Sequence, residues 1–96
     1  MPYVTKDQRN KVDGPIEELA SAINDHPQWH PAPALPDGVV NYAITRLLQK
    51  TILGHDRTYA AFERAIGVLE CAKLELYRRM VAPYEDKKSA ENGDAY

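Results

Sequence analysis

Between Tyr59 and Met80 the large apolar residues Tyr59, Phe62, Ile66, Leu69, Leu76 and Met80 are separated by 3, 4, 3, 7 and 4 residues. A helix puts residues so spaced along one line, whereas a strand, with its period of two, scatters them over both faces. The spacing is close to a heptad seam, a pattern that buries itself against another helix. One seam member is missing, at position 73, where the residue is Lys73. Glu70 and Tyr77 fall on the same side. The feature predicts a long helix from about Thr58 to Ala82, ended by Pro83, whose ring cannot continue it.

Upstream, residues 1–12 are polar and read as a short helical or extended lead-in. Asp13-Gly14-Pro15 reads as a helix start, with Ile16, Leu19, Ala20 and Ile23 forming one apolar stripe. That helix is expected to stop near Asn24, because Pro27 follows. Residues 25–37, DHPQWHPAPALPD, carry four prolines and read as a stiff, extended connection. Trp29 and Leu35 are costly to leave in water, so both are expected to pack onto the helices. A second helix is expected from about Asp37 to Leu53, capped by Asp37 or Gly38. Val40, Ile44, Leu47, Leu48 and Thr51 form its core stripe, Tyr42, Arg46, Gln49 and Leu53 its other face, and Gly54 follows it. No internal repeat and no convincing strand is visible.

Composition removes several function classes. At 96 residues the chain is one domain's worth, and its net charge of −2 does not argue for nucleic acid or a membrane surface. No apolar run approaches the ~20 residues of a membrane span. The N-terminus lacks an apolar signal region. A single cysteine, Cys71, excludes an intrachain disulfide and suits a reducing compartment, so a cytoplasmic location is expected.

Three readings compete for Glu70 and Lys73. They form an intrahelical ion pair at the core edge, or a polar register-setter at a helix interface, or part of a ligand pocket. Tyr77, Arg78, Arg79, Tyr84, Lys87 and Lys88 suit phosphate pairing and ring stacking, but they equally suit a solvated helix end. Asn41, Tyr42 and Arg46 read either as a grip on a nucleotide-like ligand or as an interface anchor. His26 and His30 flank Trp29 between prolines and complete no metal set. Cys71 reads as small packing, not as a nucleophile. Paired acids for magnesium chemistry are missing, since Glu70 is followed by Lys73, so no enzyme and no cofactor is expected. A carboxylate cluster would have to be assembled from Glu70, Glu85 and Asp86.

The segments NYAITRL (41–47) and IGVLECAKLELYRRMVAPYEDKKSAENGDAY (66–96) resemble a family of small tailed-phage and prophage proteins. Its pattern has an NYAIT-like segment and a GVLECAKLE-x-YRR-x-VAPYEDKK-x-x-ENGD-x-Y ending, which this chain follows from Gly67 to Tyr96. The family carries no transferable activity. The resemblance implies a phage context and an ordered Tyr84–Tyr96 tail, folded back to partner Glu70 and Lys73 or laid on a neighbouring subunit.

The expected fold is all-α: one domain over 1–96, with a connection at 25–37 and a tail at 84–96. It is a small bundle of two to three helices with a long C-terminal helix, assembled as a homo-oligomer. The expected function is that of a phage accessory protein in the host cytoplasm. It would bind a small ligand without catalysis and sequester a nucleotide-type immune signal through Asn41, Tyr42, Arg46, Glu70, Lys73, Tyr77, Arg78, Tyr84 and Lys87. The alternative is a protein-interaction module for a host or phage protein. No membrane or nucleic-acid partner and no metal is expected.

Overall fold

A computed structural model describes residues 4–25 and 35–96. Trp29, His26 and His30 lie outside the described residues. All regular elements among those described are helical, as the all-α reading expects: α1 (Lys6–Asn24), α2 (Asp37–Lys50), α3 (Tyr59–Leu76), a π-helical turn (Tyr77–Val81) and α4 (Ala82–Asn92). The chain divides into two compact units, Met1–Arg46 and Leu47–Tyr96.

In the first unit, α1 begins earlier than the Asp13-Gly14-Pro15 signal suggests. The start is set by a capping box: the Gln8 N–H donates to Thr5 Oγ1 at 3.2 Å, and the Thr5 N–H donates to Gln8 Oε1 at 2.9 Å. Two backbone donors that a helix start leaves orphaned are thereby satisfied, and the polar lead-in becomes helix. Pro15 consequently lies inside α1, where it supplies no N–H to the ladder. The helix ends at Asn24 as expected, the Asp25 N–H closing on Ser21 O. Its stripe is open, with Ile16 and Leu19 exposed and Ala20 and Ile23 half-buried. Leu35, expected to pack, is 74% exposed just ahead of α2, with no described side chain closed over it.

The first helical bond of α2 runs from the Val40 N–H to Pro36 O at 2.9 Å. Pro36 therefore takes the cap position assigned to Asp37 or Gly38, and Asp37 enters the first turn, where a carboxylate suits the dipole. The stripe residues Val40, Ile44 and Leu47 are exposed. The helix stops at Lys50, not Leu53. Thr51 Oγ1 and the Thr51 N–H both donate to Leu47 O, at 2.7 and 3.0 Å, and the Leu53 N–H reaches five residues back to Leu48 O. A hydroxyl competing for a ladder carbonyl loosens the turn.

In the second unit, Thr58 starts α3 where the sequence placed it. Its hydroxyl accepts from the Ala61 N–H at 3.2 Å, and its own N–H donates to Asp56 Oδ1 at 3.1 Å. The buried residues of α3 are Ala61 and Ala65, which flank the seam on one side. The seam was expected to supply both the core and part of a subunit contact; as core it does not serve, since its members Tyr59, Phe62, Ile66, Leu69, Leu76 and Met80 are all exposed within the chain.

Pro83 does not stop the helix. The ladder widens at Tyr77–Val81, and the Ala82 N–H bonds to Tyr77 O five residues back. The wider turn precedes Pro83, which then sits in the first turn of α4, where a missing N–H is least costly. The segment read as a tail is therefore helical to Asn92 and ends at Gly93, whose φ of 89° suits glycine.

Candidate functional site

The side chains singled out in the sequence fall into two groups, one in each unit. On α2, Asn41 and Tyr42 line a shallow, open depression together with Asp37, Gly38 and Thr45. Tyr42 is exposed, and the Asn41 carbonyl accepts from Thr45 Oγ1 at 3.0 Å. Arg46 lies one turn along on the same helix and is exposed. The charged residue in the depression is Asp37, which repels an anion.

The other group runs from α3 through the π turn into α4. Lys73 Nζ lies 3.0 Å from Glu70 Oε1, with both side chains more than half exposed. The tail does not reach this pair; the two charges satisfy each other along one helix face. An exposed pair three residues apart adds only ~0.2–0.5 kcal/mol, so it holds the lysine in place weakly. Glu75, which the sequence reading passed over, accepts from Arg78 Nη2 at 2.8 Å and Arg79 Nε at 3.2 Å. Its spacing of three and four residues ahead of the arginines was the available signal.

Tyr77 Oη donates to Glu85 Oε1 at 2.5 Å. That hydrogen bond, with the Glu85 charge beside it, raises the Tyr77 phenol above its ordinary range. Lys88 Nζ sits 5.7 Å from the centre of the exposed Tyr84 ring and 3.2 Å from Glu91 Oε2. Lys87 is exposed on the same helix. Four of the five cations of this group thus have an acid three or four residues away as neighbour: Glu70 for Lys73, Glu75 for Arg78 and Arg79, Glu91 for Lys88. An anionic ligand would compete with those carboxylates.

Cys71, read as small packing, is exposed. Among the described residues no three of His, Cys, Asp and Glu gather as metal ligands, and no helix is long and apolar enough to cross a membrane.

The fold and surface define a small all-helical protein with uncovered apolar faces and self-paired surface charges. The chain belongs to the family described as Domain of unknown function (DUF6899), whose model it matches over residues 1–95. Comparison with curated proteins and with solved structures brings no match.

Proposed function

We propose that this chain is a non-enzymatic binding protein that works as an assembly of its own copies, with the phage-accessory setting that its C-terminal segment suggests. One observation carries the reading: the α3 seam stands open in the single chain. Large apolar side chains left in water cost about 25 cal/mol per Å², and contiguous patches of them mark contact surfaces. With the seam given to self-assembly, a protein target fits the exposed face of α2 best. Tyr42 and Arg46, one turn apart on α2, are residue types that anchor interfaces.

A second reading, a nucleotide-type signal held out of circulation, draws on the depression that brings Asn41 and Tyr42 together. Tyr77, Tyr84, Arg78, Lys73 and Lys87 would then supply stacking and phosphate pairing once copies come together. Glu70 would meet a hydroxyl or amine, and Arg46 a phosphate.

Solution mass and thermal melting test the proposal together. An assembled mass is expected at micromolar concentration, and a monomer would sink the reading. Melting against ADP-ribose derivatives and cyclic di- and trinucleotides separates the targets. A ligand at ~100 times its Kd adds about 2.7 kcal/mol and raises the melting point by several degrees. A flat panel favours the protein target. A rise abolished by Tyr42→Ala or Arg78→Ala favours the nucleotide.

A further inference from the structure

The α3 seam carries its own instruction about how two copies meet. Tyr59, Phe62, Ile66, Leu69, Leu76 and Met80 leave on the order of 700 Å² of side-chain surface open, close to the ~800 Å² per partner of an ordinary interface. Lys73 stands in the middle of that surface, its side chain largely exposed and its Nζ 3.0 Å from Glu70 Oε1. In a parallel pair, equivalent positions face each other, so Lys73 would meet Lys73 of the other copy inside the contact. The flank that carries Glu63 and Glu70 would then face the flank of Thr58, Ala65, Ala72 and Arg79, which sets no cation opposite either glutamate; Ala65 on that flank is already buried within the chain.

An antiparallel pair crossing near Gly67 removes the lysine–lysine contact; it brings Glu63 near the partner's Glu70 on one flank, with the two Lys73 side chains beside them. Leu69 then packs by the partner's Ile66, and Tyr59 by the partner's Leu76. Lys73 lies along the partner's Phe62, with the partner's Glu63 on the same flank. The lysine keeps its own Glu70 and gains a second acid.

We propose that the seam of α3 is the contact between two copies of this chain, and that Lys73 sets them antiparallel. The inference rests on the assembly reading above and adds the surface and the orientation. Seam polarity of this kind specifies orientation at a cost in affinity.

Disulfide mapping tests it, in the full chain with Cys71→Ser and the pair Tyr59→Cys and Leu76→Cys. Within one helix these positions are about 25 Å apart, too far for a bond, so any linkage between them joins two chains. After cleavage at Arg64 and Lys73, a peptide carrying position 59 linked to one carrying position 76 is the expected product. Links of 59 to 59 and 76 to 76 mean a parallel pair and overturn the inference while leaving assembly intact. An assembled protein with neither link uses another face and overturns it too. A monomeric wild-type mass, including one in which α1 covers the seam, overturns both readings. A second variant needs no crosslink: Lys73→Leu is expected to tighten the pair about tenfold, because a buried cation is replaced by apolar surface. If Lys73 only steadied its own helix through Glu70, the same change would leave association unaltered.

Discussion

Tyr77 and Glu85 are eight residues apart yet hydrogen-bonded, the phenol donating to the carboxylate. In a regular α-helix residues so separated point about 80° apart. The π turn between them absorbs one extra residue, so they behave as positions seven apart and share a face. The bond is a consequence of the widened turn that Pro83 follows, and it ties α4 to the end of α3.

Alkaline titration reads this bond. The Tyr77 phenol is raised by the Glu85 hydrogen bond and charge, so its stabilising contribution is complete below the ordinary tyrosine value of about 10. It is lost as pH rises through the higher folded value. One tyrosine is expected to ionise later than the others when phenolate absorbance is followed, and Tyr77→Phe or Glu85→Gln removes that late step. A spectrum in which all tyrosines titrate together would contradict the bond.

Two prolines in helical segments should behave differently. Pro15 lies inside α1, where proline is about 3 kcal/mol worse than alanine, so Pro15→Ala is expected to raise helicity and stability by up to that amount. Pro83 sits in the first turn of α4, so Pro83→Ala should change stability by less than about 1 kcal/mol. Far-ultraviolet circular dichroism with denaturant titration checks both.

Gly54 and Gly67 form a second contrasting pair. A Cβ at Gly54 would come 3.0 Å from Lys50 O and 3.2 Å from Thr51 O, both backbone atoms that cannot swing aside. Gly54→Ala should cost about 1–3 kcal/mol. At Gly67, within α3, a Cβ meets nothing within 4 Å, and Gly67→Ala should add about 0.5–1 kcal/mol. Melting curves of the two variants should move in opposite directions.

The start of α3 should be acid-sensitive. Hydrogen bonds from the Thr58 side chain and N–H hold the Asp56 carboxyl below its ordinary value. The stabilisation is therefore full above the unfolded carboxyl value of about 4 and fades as pH falls through the lower folded value. Asp56→Asn should flatten that part of the stability profile. Thr58→Ala, which removes the cap on Ala61, should cost about 1 kcal/mol at neutral pH.

Much of this was legible in the chain, because helical periodicity is local. The stripe of α1, the stop at Asn24, the Thr58 start and the ion-pair spacing of Glu70 and Lys73 all follow from residues within two turns of one another. The capping box at Thr5 and Gln8 was equally local and outweighed the proline signal at Pro15. The pairing of Arg78 and Arg79 with Glu75 was readable from spacing alone.

What the amino-acid order by itself determined was helix type, the direction of each apolar stripe and the odd cation at position 73. Tertiary structure decided which stripes found cover. Ala61 and Ala65 are buried while the larger seam residues are not, because burial depends on what lies opposite a face and not on the face's own hydrophobicity. The continuation of the helix through Pro83 was also not written in the spacing. That outcome depends on a competition among backbone hydrogen bonds for carbonyls four or five residues back, and side-chain spacing carries no record of which one wins.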